Sequence, residues 1–362
     1  MNKENKKKNF KVKIKSEDKK KKSLWAIFIP VLLVTVLLLG GLYMLGDYFI
    51  HKPINEAEEE GSEHTSLNED VAHPEEFKQK QINILVAGID SGDRRSTNLT
   101  DVMMIANLNL ETKQVNILQI PRDTYVDDAV WTGKLNAVYN VGRNDAYGHG
   151  INGLMNCIND KFKVHLDYYV LVNLEGFRDI VKAMGGVKIT FDEDFTLIVD
   201  KKPYHFKKGP QVLTPKEAEV FVRERNSRGG DLGRVQRGQR VFMAALIKQA
   251  KEMKKTDLLG MVPTLFKYVR TDMSLADAGR LAGAALDIPS KNITFDMVPG
   301  EGVYIKGQSC YTAHLEPLAK IINEKFRVGM DPIAPTDLGL KEVKNTNNYW
   351  ETSGQTADEV NE

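Results

Sequence analysis

The sequence of 362 residues predicts an α/β or mixed α+β fold built around a single β-sheet. Short apolar runs of strand character alternate with stretches of helical periodicity from residue 80 onward. The strand-like runs are joined both by a tight turn and by helical crossovers, so the sheet is expected to contain antiparallel and parallel neighbours. A long uncharged segment before this region predicts one N-terminal transmembrane helix.

The N-terminal region has the features of a signal anchor. Leu24 to Leu45 form 22 positions without a charge, and as a helix they would span about 33 Å, enough to cross a bilayer. Residues 1–23 carry eleven lysines and three acids, whereas residues 51–77 carry nine acids and one lysine. This asymmetry places the N-terminus in the cytoplasm. We therefore expect a single-pass cell-membrane protein with its span at 24–47 and an extracellular domain.

The rest of the chain divides into three parts. Residues 48–79 are acidic and poor in apolar side chains, which predicts a solvated linker. Residues 80–328 form the predicted folded domain, and the polar tail at 329–362 is expected to be disordered. The N-terminal lysine run is short and contains a single aromatic residue, Phe10, so no nucleic-acid partner is expected. The two cysteines, Cys157 and Cys310, form either a disulfide or two buried free thiols.

The first predicted elements follow one another closely along the chain. Ile82 to Asp90 is an apolar run of strand character. Residues 101–120 predict a β-hairpin with its turn at Glu111–Lys113. Residues 133–162 predict a short helix followed by a longer one, and residues 168–174 predict another strand.

The remaining elements are mostly helical. Helices are expected at 175–185, from Pro215 onward, at 233–254 and at 275–287, and strands at 187–191 and 293–299. The helix that begins at Pro215 has the clearest start, because Thr214 can cap it and Glu217 completes a capping box.

Charged residues at the ends of the predicted strands indicate a possible anion site. Asp90 closes the first strand and Asp101 opens the next. Arg122 and Asp123 follow the second strand of the hairpin. Six arginines then fall within residues 222–240, namely Arg223, Arg225, Arg228, Arg234, Arg237 and Arg240. Arginine forks suit phosphate oxygens, and two nearby carboxylates could hold Mg²⁺, so the pattern resembles a pyrophosphate site.

Each of these features also has a simpler explanation. The aspartates could be turn or cap residues. Arg122 and Asp123 could form an ion pair in a surface loop, and some of the arginines could cover a solvated helix face.

Four stretches, in order, resemble the LytR-CpsA-Psr family: NILVAGID, LTDVMMIANLN with VNILQIPRDTYV, GKLNAVYNVG, and VRERN with DLGRVQRGQ. The resemblance covers residues 80–250 and extends less distinctly to 328. It implies a central mixed sheet flanked by helices, with an apolar tunnel for a lipid between them. It also implies an enzyme that transfers an anionic glycopolymer from a polyprenyl-pyrophosphate carrier to peptidoglycan, with Mg²⁺ (or Mn²⁺). The polymer would be a teichoic acid, a capsule polymer or another wall polysaccharide.

The resemblance also assigns roles to residues. The family's metal-binding, catalytic aspartates match Asp90 and Asp101, and its motif arginine matches Arg122, supported by Asp123. The pyrophosphate-binding positions match Arg122 together with Arg223, Arg225, Arg234, Arg237 and Gln239, and Asp231 supports them.

Two positions depart from the family pattern. Leu99 stands where the family has an arginine two residues before the second aspartate, and Arg94 and Arg95 are the candidates to replace that arginine. Gly238 interrupts the family's Arg-Gln pair.

The family chemistry implies an attack by a peptidoglycan sugar hydroxyl on the glycan-side phosphorus, with polyprenyl phosphate leaving. Arg122 would hold the pyrophosphate, because positioning and charge stabilisation dominate phosphoryl transfer. Asp90 would assist deprotonation or only bind the metal. The competing function is a regulator that binds lipid-linked glycans without catalysis, and such a protein would not need Asp90 and Asp101 together.

Overall fold

The structure is a computed structural model. It describes residues 81–89, 99–126, 130, 132–140, 147–199, 201–223, 231–254, 261, 264–343, 355–357 and 359, with only the backbone at 231–237, 276 and 279. The predicted basic tail, membrane span and linker at residues 1–79 lie outside this part. Within it, no helix is long and apolar enough to cross a membrane.

The described residues form strands and helices that alternate along most of the chain. The strands are β1 (Gln81–Ile89), β2 (Thr100–Asn109), β3 (Gln114–Gln119), β4 (Tyr168–Asn173), β5 (Val187–Phe191), β6 (Phe195–Val199), β7 (Lys202–Phe206), β8 (Gly209–Leu213), β9 (Arg270–Thr271), β10 (Ile293–Met297), β11 (Gly300–Ile305), β12 (Gln308–Ala313) and β13 (Gln355–Thr356). The α-helices are α1 (Gly150–Phe162), α2 (Leu174–Ala183), α3 (Pro215–Arg223), α4 (Asp231–Lys251), α5 (Leu275–Leu286) and α6 (Leu315–Lys325). Short 3₁₀ helices lie at Leu135–Ala137, Ser290–Asn292 and Pro335–Asp337.

Seven strands form one mixed sheet in the order β13-β10-β3-β2-β1-β4-β9. Strands β1, β2 and β3 are antiparallel neighbours, and the predicted hairpin turn joins β2 to β3. Strand β4 pairs with β1 in parallel, and β10 pairs with β3 in parallel. The prediction of a single central sheet with both kinds of neighbour is confirmed.

Both faces of this sheet are covered by helices, so its central strands are apolar on both sides. Ile84 and Val86 of β1 pack in one cluster with side chains of α2, α3, α4 and α5. Leu85 and Ala87 point to the opposite face and pack with α1 and α6. The alternation of side chains along a strand thus divides the core into two layers.

The helix starts follow local capping rules. Glu217 N–H donates to Thr214 Oγ1 at 3.3 Å, and Thr214 N–H donates to Glu217 Oε2 at 2.9 Å. This is the capping box that the sequence predicts for α3. Asn173 caps α2 by accepting a hydrogen bond from Gly176 N–H at 2.7 Å.

Three two-stranded ribbons and one helix were not predicted. Strand β5 pairs with β8, β6 with β7, and β11 with β12, while α6 follows β12. The β6–β7 ribbon is joined to α3 by an aromatic group in which Phe195 stacks on Phe206 at 4.8 Å and Phe221 lies 6.1 Å from Phe206. Strand β5 was predicted on its own, but its pairing with β8 was not, and the other strands of these ribbons are short and irregular in apolar pattern, so the sequence does not reveal the ribbons.

The expectation of a disordered tail at 329–362 is wrong for its described part. Leu338 and Leu340 are buried in the layer beneath α1 and α6, and Gly339 N–H donates to Lys161 O at 3.1 Å. Strand β13 pairs with β10 at the sheet edge. Two leucines in a polar segment are enough to anchor it, because each one buries a full apolar side chain.

The two cysteines are buried thiols that form no disulfide with each other, which agrees with one of the two predicted alternatives. Cys157 lies in the layer around α1, and Cys310 lies in a separate small cluster with Tyr125 and Val303. Burial raises the pKa of the Cys310 thiol, so this thiol is held in its neutral form.

Candidate functional site

Arg122 and Asp123 occupy the two central positions of a tight turn directly after β3. Thr124 N–H donates to Pro121 O at 3.0 Å, and the Thr124 hydroxyl donates to the same oxygen at 2.6 Å. Such a turn projects its two central side chains away from the sheet. The turn therefore presents a guanidinium and a carboxylate together at the end of the β2–β3 hairpin.

The strand register brings Arg122 to Asp101. Gln119 pairs with Met104 in the β2–β3 ladder, and continuing that register by three residues places Arg122 opposite Asp101. The Arg122 guanidinium forms a hydrogen-bonded ion pair with the Asp101 carboxylate. Two residues that the sequence analysis assigned to one site are thus in contact.

Asp101 lies at an irregularity in the β1–β2 ladder. Gly88 pairs with Val102 and Ile89 pairs with Thr100, so Asp101 is an extra residue on β2. An extra residue of this kind bends the strand and redirects its side chain, a common arrangement beside binding sites. The bulge explains how a residue within a strand can turn its carboxylate toward the hairpin end.

Asp123 lies between two cations. Its Oδ1 atom accepts a hydrogen bond from Lys134 Nζ at 3.1 Å and lies 3.7 Å from Arg122 Nε. The charges of Asp101, Arg122, Asp123 and Lys134 sum to zero. A pyrophosphate linkage is a dianion, so this group on its own supplies no net charge to balance it, and further cations are required.

The turn is held from behind by two other segments. Tyr311 N–H of β12 donates to Asp123 O at 2.8 Å, and Tyr125 N–H donates to Tyr311 O at 2.8 Å. Asn136 N–H of the 3₁₀ helix donates to Arg122 O at 3.1 Å. These backbone bonds fix the turn independently of its side chains, which is the preorganisation that an anion site needs.

Gln239 of α4 meets the end of β3. Gln119 Nε2 donates to Gln239 Oε1 at 2.8 Å, and both side chains are buried. Gln119 precedes Arg122 by three residues, so this amide pair attaches α4 next to the Arg122 turn. Gln119 is a site residue that the sequence analysis missed, since a single glutamine at the end of an apolar strand gives no pattern signal.

Gly238 brings α4 close to α3. A Cβ atom built on Gly238 would lie 3.3 Å from the carbonyl oxygen of Phe221, closer than most such contacts. Arg223 lies two residues beyond Phe221 at the end of α3. The departure from the family pattern at position 238 thus has a packing reason: glycine allows the Arg223 and Gln239 helices to approach.

Arg223 is oriented by a buried carboxylate. Its Nη1 atom donates to Glu219 Oε1 at 2.8 Å, one turn earlier on α3. This contact spans four residues of one helix, the spacing at which side chains are neighbours. Glu219 is a second residue that the sequence analysis did not single out.

Several predicted site residues cannot be placed with these. Asp90, Arg94, Arg95 and Arg225 lie outside the described residues, and only the backbone of α4 is described at Asp231, Arg234 and Arg237. Leu99 is partly buried against the apolar layer beneath α1 and α6. Among the described side chains, no group of three or more His, Cys, Asp or Glu is arranged to hold a metal ion.

The fold and the site together define an α/β/α domain with an arginine and a carboxylate paired at the end of a β-hairpin. The sequence profile of the LytR_cpsA_psr family matches residues 48–327. The chain therefore belongs to the LytR_cpsA_psr family.

Individual relatives agree with this assignment. The chain is 29% identical over 317 residues to the polyisoprenyl-teichoic acid–peptidoglycan teichoic acid transferase TagU of Oceanobacillus iheyensis, covering 84% of this chain and 94% of that protein. It is 31% identical over 269 residues to TagU of Bacillus mycoides, covering 71% and 80%. The crystal structure of B. subtilis TagV matches with a TM-score of 0.57 and 25% identity, covering 67% of this chain and 95% of TagV.

Proposed function

We propose that this protein transfers an anionic glycopolymer from a polyprenyl-pyrophosphate carrier to peptidoglycan. The observation that carries the proposal is the Arg122–Asp101 pair, held at the hairpin end in a member of this family. The names of the curated relatives, which are teichoic acid–peptidoglycan transferases, support a teichoic acid as the polymer.

The pyrophosphate is expected to lie between the Arg122 turn and the ends of α3 and α4. Arg122 would contact it from the sheet, and the Gln119–Gln239 contact supports a place for α4 beside that turn. The neutral group around Arg122 requires additional cations, for which the candidates are Arg223, Arg225, Arg234 and Arg237. Gln239 would add a neutral contact, and Asp231 and Asp123 would orient the arginines.

A divalent cation, Mg²⁺ (or Mn²⁺), fits the carboxylates in the sequence. Asp101 is at the bulge with its side chain partly exposed, and Asp90 directly follows Ile89, whose partner across the ladder is Thr100. Mg²⁺ is bound by few protein carboxylates together with phosphate oxygens, and these two aspartates would hold it. When bound, the cation would neutralise developing charge on the pyrophosphate.

In the proposed reaction a sugar hydroxyl of peptidoglycan attacks the glycan-side phosphorus. The new bond joins that oxygen to phosphorus, the bridging P–O bond breaks, and polyprenyl phosphate leaves with the electron pair. The hydroxyl proton passes to a base, for which Asp90 is the candidate. Arg122 stabilises the charge that develops on the phosphoryl oxygens.

The proposed cellular arrangement follows from the sequence. Residues 1–23 would be cytoplasmic, residues 24–47 would anchor the chain in the membrane, and the domain would meet peptidoglycan outside. The polyprenyl chain would occupy an apolar tunnel between the sheet and helices α2 to α5, where the larger of the two apolar layers lies.

A reconstituted transfer assay tests the proposal. The full-length protein in detergent is incubated with a polyprenyl-pyrophosphate-linked teichoic acid precursor, peptidoglycan fragments and Mg²⁺. We expect covalent attachment of glycan, detected by mass spectrometry, together with equimolar polyprenyl phosphate. Binding of the precursor without release of polyprenyl phosphate would instead identify a non-catalytic regulator. Mass spectrometry of the lipid that copurifies with the protein would identify the polymer.

A further inference from the structure

A buried glutamate gathers three cations where α2 packs against α3. Oε1 of Glu219 accepts hydrogen bonds from Lys216 Nζ at 3.1 Å and Arg223 Nη1 at 2.8 Å. Its Oε2 accepts a hydrogen bond from Arg178 Nη1 of α2 at 3.0 Å. Arg178, Lys216 and Arg223 are referred to below as the cation cluster.

The cation cluster has an excess of positive charge held at fixed positions. Glu219 supplies one negative charge against three positive ones, which leaves a net charge of +2. Cations this close repel one another, and the single Glu219 carboxylate among them compensates only part of that repulsion. The geometry therefore favours a second anion at the cluster.

The outer sides of the three cations remain open to solvent. The Glu219 side chain is 2% exposed, whereas those of Arg178, Lys216 and Arg223 are 43%, 44% and 37% exposed. Each cation thus has a buried side that contacts Glu219 and an outer side with further N–H donors. Because Glu219 already fixes the three cationic side chains, these side chains lose little conformational entropy when an anion binds.

The position of the cluster relates it to the proposed pyrophosphate site. Arg223 is a candidate pyrophosphate contact at the end of α3, and Lys216 lies seven residues earlier in the first turn. The two side chains converge, because Lys216 Nζ and Arg223 Nη1 contact the same Glu219 oxygen, and this places Lys216 directly beside the candidate pyrophosphate contact. The basic character continues upstream, since residues 201–216 contain five lysines and no acid.

We propose that the cation cluster binds a phosphate group of the donor polymer, beyond the pyrophosphate link. This inference rests on the proposed function, in which the donor is an anionic glycopolymer. Arg178 and Lys216 bind the polymer, and Glu219 is a positioning residue that holds them and Arg223. The cluster then selects phosphate-rich polymers over neutral glycans on the same carrier, because a neutral chain offers the cations no partner.

Titration calorimetry with two probes tests the site. The full-length protein in detergent is titrated with a short glycerol-phosphate oligomer and, separately, with inorganic pyrophosphate. We expect Arg178→Gln and Lys216→Gln each to raise the Kd for the oligomer about fivefold and to leave the Kd for pyrophosphate unchanged. Lys182→Gln is the control, since Lys182 is exposed on the same helix as Arg178, outside the cluster.

Three outcomes would overturn the proposal. If neither cluster substitution changes the Kd for the oligomer, the proposed polymer site is excluded. If the substitutions raise the Kd for the oligomer and for pyrophosphate equally, the cations belong to the pyrophosphate site alone. Weakened binding to phosphatidylglycerol vesicles with intact oligomer binding assigns the cluster to a membrane surface. The two proposals can fail separately. If the protein binds the oligomer through Arg178 but transfers no glycan, the proposed transferase function is wrong and the proposed polymer site stands.

Discussion

Arg122 reaches Asp101 because the hairpin register and the turn at Pro121 place them opposite each other. We expect Arg122→Ala to lower the transfer rate by at least about thirtyfold, the equivalent of about 2 kcal/mol for a truncated charge contact. Arg122→Lys should restore little, since a point charge lacks the guanidinium fork. Arg280→Ala is the control, because it removes the same charge from an exposed position on α5. If both Arg122 variants transferred glycan at the wild-type rate, Arg122 would only form an ion pair at the surface and would have no role in transfer.

Asp101 contacts Arg122 and is also a proposed metal ligand, and one substitution separates these roles. Asp101→Asn keeps a side chain that can accept a hydrogen bond from Arg122 but removes the carboxylate charge. We expect it to fold normally, lose Mg²⁺-dependent transfer and retain part of its affinity for the lipid-linked donor through the arginines. Transfer is measured in EDTA and after Mg²⁺ is restored. Full wild-type activity in EDTA would make Asp101 an arginine-positioning residue only.

Glu219 links residue ionisation to stability. Burial by itself raises the pKa of Glu219, but the hydrogen bonds from the cation cluster outweigh burial and hold the pKa below its ordinary value. The ionised Glu219 carboxylate therefore stabilises the fold fully above about pH 4.3, which is the ordinary pKa of glutamate. This contribution to the unfolding free energy is lost as the pH falls through the lower pKa of Glu219 in the folded state.

Chemical denaturation of wild type and Glu219→Gln between pH 7 and pH 3 measures this effect. We expect the wild-type chain to be the more stable at pH 7 and its advantage to shrink below about pH 4. A difference that is constant over the whole range would show that the cluster does not stabilise the ionised carboxylate.

At the scale of elements, the contact of α3 with α4 sets how close Arg223 comes to Gln239. Gly238→Ala adds a Cβ 3.3 Å from Phe221 O, whereas Gly283→Ala in α5 adds one with nothing within 4 Å. Gly283→Ala should raise the unfolding free energy by about 0.5–1 kcal/mol through helix propensity. Gly238→Ala should gain less stability and lose transfer activity, because α3 and α4 must separate slightly. If both variants gained the same unfolding free energy and kept full transfer activity, the α3–α4 contact at Gly238 would have no role in transfer.

The elements also show what sequence patterns can and cannot reveal. The β2–β3 hairpin and the α3 capping box were predictable because each rests on contacts a few residues apart. The Arg122–Asp101 contact was predicted only as proximity of strand ends. The direction of the Asp101 carboxylate depends on the bulge at Asp101, and therefore on how β1 pairs with β2, which no local pattern encodes. Gln119 was missed for the same reason, since its partner Gln239 lies 120 residues away. Glu219 was missed because its contacts with Lys216 and Arg223 have an ordinary helical spacing, and only its contact with Arg178 of another helix distinguishes it.

At the scale of the whole molecule, the sheet separates two apolar layers with different roles. The layer with α1 and α6 also includes Tyr311, whose backbone bonds to the Arg122 turn. The layer with α2 to α5 contains both helices whose ends bear the candidate arginines. One layer therefore supports the turn from behind, the other contains the helices whose sequences carry the candidate arginines, and the proposed site lies at the end of β3.

The orientation of the whole chain in the membrane can be tested with the protein's own cysteines as an internal control. Cys157 and Cys310 are both buried, so a membrane-impermeant maleimide should leave the wild-type chain unlabelled. Ser62→Cys in the acidic linker should be labelled on intact cells, because acids follow the apolar segment and lysines precede it. Ser16→Cys in the basic tail should be labelled only after the membrane is permeabilised. Labelling of Ser16→Cys on intact cells, with protection of Ser62→Cys, would place the domain in the cytoplasm and exclude access to peptidoglycan.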